Sequence, residues 1–235
     1  MDADKNQLRF ASILTVLVIC ALVLTARVVY LYLADPGRFP INTVKIAATY
    51  QHVSHKQLEQ ILTNYLNTSF FSLPVSHLHE ELSALSWIKE AQIERIWPDT
   101  LKISLIEKQP VAIWNESFLC DDGDVFNETG ELTDTVLPQL RGPVNHQKQV
   151  LQVYKKMSKI LSICGLYAAV LEWRKNEAWE LTLSNGVQLR LGKRDLEIRV
   201  NRFCKAYPAV LEEKTDQLAS VDLRYPRGMP VQWKH

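Results

Sequence analysis

Glycine is scarce, with eight in 235 residues, and none of them builds a Gly-rich phosphate loop, which argues against a nucleotide cradle. His-Glu-x-x-His, Cys-x-x-Cys and Gly-x-Ser-x-Gly are all missing, so the common metal, redox and nucleophile-elbow frameworks are excluded. Neither charge sign is in excess. Lys plus Arg number 27 against 26 Asp plus Glu, so no global field points to nucleic acid or to acidic lipid. Cysteine is sparse too: Cys120, Cys164 and Cys204 follow the N-terminal apolar run, and an odd number leaves one unpaired. Cys164 and Cys204 each fall on the apolar stripe of a predicted helix and read as buried free thiols. No internal repeat or low-complexity tract interrupts the chain.

What is present begins at the N-terminus. Residues 10–26 carry no charge, and the apolar stretch resumes after Arg27 to residue 34. A helix of that length crosses the roughly 30 Å hydrocarbon core of a bilayer. Arg27, near the distal end, can snorkel to the interface as an anchor. The run is longer than a signal-peptide core and has no small-x-small cleavage site. Leu17-Val18-Ile19-Cys20 likewise lacks the small residues that precede a lipidated cysteine. The expectation is one retained transmembrane helix over residues 10–34. The tail of residues 1–9, with Lys5 and Arg9 beside Asp2 and Asp4, would lie inside and the rest of the chain outside.

Two prolines and a glycine in Asp35-Pro36-Gly37-Arg38-Phe39-Pro40 mark a linker over residues 35–40. Beyond it the spacing predicts a strand at residues 41–47. A helix follows, capped by Ser54 with Gln57 closing a capping box and Val53 and Leu58 as staple. Leu58, Ile61, Leu62, Tyr65 and Leu66 form its apolar face. A second helix is predicted over residues 75–85, with Leu78, Leu82 and Leu85 inward. Two alternating strands come next, through Ala91 and Ile93 and then Leu101, Ile103 and Leu105, across a Pro98-Asp99 turn. The order β-α-α-β-β describes a small α+β domain over residues 41–110.

Residues 111–235 read as a second domain, a mixed β-sheet with helices packed on it. Strands at 111–114 and 118–126 flank Asp121-Asp122-Gly123-Asp124. One helix stripe runs through Val150, Tyr154, Met157, Leu161 and Cys164. Asn185-Gly186 predicts a type I′ hairpin between alternating strands. Leu196, Val200, Phe203, Tyr207 and Val210 form a further helix that Pro208 should end or kink near Tyr207. Val221, Leu223 and Tyr225 alternate in a last strand, and residues 229–233 form a short extended piece.

Candidate chemistry is thin. Asp121 to Asp124 lacks the alternate ligands of a calcium loop and reads as a solvated turn. His77 and His79, and His52 with His55, have no third ligand at metal spacing and read as surface histidines. Asn67, Asn115 and Asn127 open Asn-x-Ser/Thr patterns that carry weight only in a eukaryotic secretory context. No catalytic, cofactor or metal residue is assigned. Trp233, near the chain end on a short strand, is singled out as an exposed binding residue.

Trp87-Ile88-Lys89, then Trp97-Pro98-Asp99-x-Leu101-x-Ile103-x-Leu105-x-Glu107, Pro110 and Trp114 resemble a stretch of the FtsQ/DivIB family of bacterial division proteins, across the end of its POTRA domain. Trp179-x-Leu181-x-Leu183, Leu189-x-Leu191-Gly192, and Val221-Asp222-Leu223-Arg224-Tyr225 with Gly228 and Trp233 resemble its β domain. The resemblance covers nearly the whole chain. It implies a non-enzymatic scaffold of the bacterial inner membrane, located at the division septum, with a cytoplasmic N-terminus and periplasmic POTRA and β domains. The implied partners are the FtsB and FtsL pair, which govern peptidoglycan synthesis by FtsW and FtsI, with an FtsB strand added at the C-terminal sheet edge. The residues implied for partner binding are Arg174, Val221, Leu223, Arg224, Tyr225, Gly228, Met229, Val231 and Trp233, with Glu107 for recruitment through the first domain. Asn176, Glu177 and Ala178 precede Trp179 where relatives can carry basic residues, and Arg174 or Lys175 would substitute. The competing readings are a membrane-anchored periplasmic cell-wall enzyme, which needs convergent acid, base or metal ligands, and a ligand sensor, which needs an enclosed apolar pocket.

Overall fold

The computed structural model describes residues 2–48, 52–127 and 136–234. The chain divides into two compact units, Met1–Glu107 and Lys108–His235.

The first unit opens with α1 (Asp2–Leu33), whose stretch Ile13–Leu33 is long and apolar enough to cross a membrane. A core helix of a soluble domain buries a stripe, whereas no part of this stretch is buried in protein. The helix starts at Asp2, so it takes in most of the nine-residue tail that the sequence sets apart. After the linker come β1 (Thr43–Ala48), α2 (His55–Leu66), α3 (Val75–Ser83), β2 (Ile88–Ile96) and β3 (Thr100–Glu107). The sheet order is β1-β3-β2, with β1 parallel and β2 antiparallel to β3. Leu58, Leu62, Tyr65, Leu78 and Leu82 from the helices join Ala91, Leu101, Ile103 and Leu105 from the strands in its core. Each fully buried Leu removes about 2 kcal/mol worth of apolar surface from water.

Three local expectations change here. Ser54 is the N-cap of α2 with extended backbone, but its side chain makes no cap bond, and its carbonyl instead accepts the Gln57 and Leu58 N–H groups. Leu66, at the helix end, is exposed. The second helix stops at Ser83, closed by the Ala84 N–H on the Glu80 carbonyl, so Leu85 is only half-buried in the turn beyond.

The second unit contains β4 (Pro110–Trp114), β5 (Ser117–Cys120), β6 (Val125–Phe126), β7 (Gln139–Arg141), α4 (Gln147–Ile163), β8 (Ala168–Trp173), β9 (Trp179–Leu183), β10 (Gln188–Gly192), α5 (Leu196–Val210), β11 (Leu218–Asp222) and β12 (Val231–Trp233). Its nine strands form one mixed sheet in the order β12-β11-β10-β9-β8-β7-β4-β5-β6. α4 and α5 bury Val150, Met157, Leu161, Val200 and Phe203 against Leu140, Leu171, Leu181, Leu189 and Val221.

The Asn185-Gly186 turn forms, but with a different geometry. Only Gly186 of the pair has positive φ, at 86°. The Gly186 N–H bonds the Leu183 carbonyl at 2.9 Å, and the Leu183 N–H bonds the Val187 carbonyl at 2.9 Å. That is a three-residue loop with a left-handed glycine, the next most common hairpin solution. α5 continues through Pro208 to Val210, closed by the Leu211 N–H on the Tyr207 carbonyl; the Val210 side chain lies outside the described residues. Cys120 is buried, while Cys164 and Cys204 are thiols that are only half-buried. Burial, then the hydrogen bond of its S–H to Cys164, pushes the Cys204 thiol up to about 12. Asp121 pairs with Lys155, and Asp124 with Lys108 at 2.9 Å, so the acidic turn is tied down by lysines.

Candidate functional site: the C-terminal sheet edge

β12 is the outermost strand of the large sheet. Val231, Gln232 and Trp233 pair with Val221, Ser220 and Leu218 of β11, and no strand lies on the other side of β12 among the described residues. A strand in this position presents a row of backbone donors and acceptors to an incoming chain.

The segment between β11 and β12 is built from both ends. Leu223 donates its N–H to the Arg190 carbonyl at 3.0 Å, and Asp222 donates to the Pro230 carbonyl at 2.9 Å. Between them, the Arg202 guanidinium of α5 donates to the carbonyls of Leu223 at 2.9 Å, Tyr225 at 2.7 Å and Pro226 at 2.8 Å. One arginine thereby fixes the turn that carries Tyr225. Its Nε is buried without an acceptor among the described residues. Nothing in the sequence pattern singles out Arg202, because its role depends on carbonyls more than twenty positions away.

Exposure sorts the residues implied for partner binding. Tyr225 is 54% exposed and Trp233 40%; Arg224 and Gly228 are exposed, and Met229 and Val231 are half-buried against the core. Val221 and Leu223 are fully buried, and β11 is bonded on both sides at Val221, to β10 and to β12. The expectation that these two residues form the free edge is therefore corrected. The chain turns back after Tyr225 and lays β12 beside β11, while Val221 and Leu223 pack into the core, so they hold the edge in place from the core side.

Arg174 lies between β8 and β9, three strands from β11, yet the register links it to the edge. Glu172, Glu180, Arg190 and Asp222 stand opposite one another across β8, β9, β10 and β11. Arg174 pairs with Glu180 and, at 3.7 Å, with Glu172 at one end of this row. At the other end Arg224 holds Asp222, with Nη2 to Oδ2 at 2.6 Å and Nε to Oδ1 at 2.9 Å. These hydrogen bonds from Arg224, against some opposing burial, hold the Asp222 carboxyl below its ordinary range, helped by Arg190. Gly192, with φ at 78°, leaves space that a Cβ would take from Arg199 and Arg224. The result is a charged stripe of mixed sign with an arginine at each end, while Lys175 beside Arg174 is exposed.

Glu107 is placed differently. Its carboxylate accepts the backbone N–H groups of Val53 at 2.8 Å and His52 at 3.1 Å, and meets His52 Nδ1 at 3.2 Å. His52 stacks on Trp87 at 4.1 Å. With its side chain only 9% exposed, Glu107 ties the entry to α2 onto the end of β3, and is not a solvated strand end. His77 meets Tyr65 at 2.5 Å and Glu81 at 3.4 Å, contacts internal to the helix pair.

Fold and edge together define a class: a protein with an N-terminal apolar helix, a POTRA domain and a second domain that ends in a short accessible strand. Residues 39–108 match the model of the POTRA domain, FtsQ-type, and residues 112–224 match that of the cell division protein FtsQ/DivIB, C-terminal. The chain is 31% identical to the cell division protein FtsQ of Coxiella burnetii over 94% of its own length and 91% of that protein. It is 34% identical to that of Shewanella oneidensis (92% and 83%) and 32% identical to that of Escherichia coli (97% and 86%). The chain belongs to the FtsQ/DivIB family of cell division proteins, and a role in division follows from that membership.

Proposed function

We propose that the chain is a non-enzymatic division scaffold, anchored in the bacterial inner membrane by α1. Its two domains lie in the periplasm at the septum, and it binds FtsB and FtsL and so helps regulate septal peptidoglycan synthesis. One observation carries this reading: the outer edge of β12 is flanked by the exposed aromatics Tyr225 and Trp233. Strand addition at such an edge takes affinity from main-chain bonds and specificity from side chains. Tyr and Trp are the residue types that most often act as interface anchors. Pro226 and Pro230 beside the strand keep the edge short, which restricts indiscriminate pairing. Arg224, at the end of the charged stripe nearer β12, suits an acidic residue beside the added strand, and Arg174, farther across the sheet, suits an acidic residue elsewhere on the partner.

The experiment is a titration of the full chain, held in lipid nanodiscs, with the periplasmic segment of FtsB. Tyr225→Ala and Trp233→Ala should each weaken binding at least tenfold, roughly 1.4 kcal/mol, with the thermal midpoint unchanged because both side chains are exposed. A peptide N-methylated along one edge should lose more affinity than one methylated along the other. Wild-type affinity in both variants, or lost affinity only alongside lost folding, overturns the proposal.

A further inference from the structure

Among the described residues, Trp97 is the most exposed aromatic outside the apolar helix, at 72%. It lies in the turn between β2 and β3, and an indole, apolar in its body with one polar N–H, suits a surface where something part apolar and part wet covers it. Its place relative to the end of α1 says what does.

The turn is bonded directly to the chain that leaves α1. The Asn42 side chain donates to Asp99 Oδ2 at 2.9 Å, and the Asn42 N–H donates to the Asp99 carbonyl at 3.1 Å. Two residues earlier, Pro40 bridges to Ser69, and the Ser69 hydroxyl donates to the Leu33 carbonyl at the last residue of α1, at 2.5 Å. Two residues span at most about 7 Å, so this chain of contacts holds Asp99 within about 20 Å of the helix exit. The junction is also locked by aromatic rings. Phe39 packs edge-on to Tyr32 at 5.9 Å and to Phe71 at 5.0 Å, and the Arg38 guanidinium sits 4.4 Å above the Tyr32 ring. Tyr and Arg around a helix end are the residues of a membrane–water interface. At 1.5 Å per residue, the stretch Ile13–Leu33 measures about 31 Å, which sets Leu33 at the hydrocarbon boundary.

We propose that the Trp97 turn rests in the headgroup layer of the bilayer crossed by α1, giving the first domain a second contact with the membrane beside its anchor. An indole at that depth buries its ring among acyl-chain ends while its N–H stays with water and headgroups. The tether keeps the ring close to the lipid, so a weak partition is enough to hold it. The domain then cannot swivel freely about the linker, and whatever its outer faces bind is met at a fixed height above the membrane.

The proposal rests on α1 being a membrane span, and the test separates the two. The full chain is reconstituted in phosphatidylcholine–phosphatidylglycerol vesicles that contain lipids brominated at the headgroup end of the acyl chains, and washed with alkaline carbonate. Tryptophan emission is compared between wild type and Trp97→Phe, with near-ultraviolet circular dichroism to confirm the fold. Bromolipid should quench a component of the wild-type emission that Trp97→Phe lacks. Equal quenching in both proteins, or none in either, overturns the Trp97 contact while the anchor stands. Release of the chain by carbonate overturns the anchor and the contact with it. Absence of quenching in lipid alone, with Trp97 still protected from oxidation in native membranes, assigns the ring to a protein partner instead.

Discussion

Each domain has an edge strand paired on one side only among the described residues, β2 in the first and β12 in the second, and these two edges are finished differently. In the first domain β2 is nine residues long, and Lys89, Glu90, Gln92, Glu94 and Arg95 are all exposed along it. Charges spaced along an edge are the usual protection against unwanted pairing. In the second domain β12 has three residues and no charge, with Trp233 on it and Tyr225 on the preceding turn. Length guards one edge less than charge guards the other. The difference teaches where to look for a partner: the long edge is closed by its side chains, and the short one is open for a specific strand.

The same contrast separates two residues that the family resemblance puts forward together. Glu107 serves the inside of its domain, while Tyr225 faces outward. The largest expected effect therefore comes from Glu107→Lys. It removes the acceptor of two backbone N–H groups and places a cation where a carboxylate was nearly buried, costing roughly 3 kcal/mol. Calorimetry of the full chain should show the first domain's transition lowered and the second's unchanged. An unshifted transition combined with lost partner recruitment would make Glu107 a contact residue after all, and the contrast would break.

Leu223→Ala is the matching change in the second domain. A fully buried leucine truncated to alanine costs about 3 kcal/mol, so its effect on FtsB binding should follow the lost stability, measured by denaturant unfolding beside the titration. Loss of affinity without loss of stability would return Leu223 to the contact surface.

Arg202→Ala frees three carbonyls and should cost about 1–2 kcal/mol. Hydrogen exchange should quicken across residues 223–227 before any other part of the sheet, and FtsB affinity should fall though Arg202 touches no added strand. The smallest effect is electrostatic. Asp222 has a depressed carboxyl pKa, so the stability it contributes is present above the ordinary aspartate range and is lost as pH falls through the lower folded value. Asp222→Asn should flatten that acid limb of the unfolding curve, measured between neutral pH and acid, by lowering the neutral midpoint slightly while leaving the acid end nearly unchanged.

Much of this architecture is written in local pattern. The uncharged N-terminal run dictates α1, because no water-exposed helix of that composition is favourable. The stripe Val150, Met157 and Leu161 dictates α4, and alternation in Trp179, Leu181 and Leu183 dictates β9, because period 3.6 and period 2 report which face leaves water. Yet period says nothing of who the neighbour is. Val221, Leu223 and Tyr225 read alike along the sequence, yet the folded sheet packs the first two into the core and leaves the third exposed on the turn. Glu107 reads as a strand-end acid until residues 52 and 53 arrive with their N–H groups, and Arg202 reads as a surface arginine until three carbonyls from beyond β11 close on it. Apolar periodicity is a property that the sequence carries locally; which apolar positions end up covered, edge position and hydrogen-bond partnership depend on segments far apart in the chain, and only the tertiary structure could decide them.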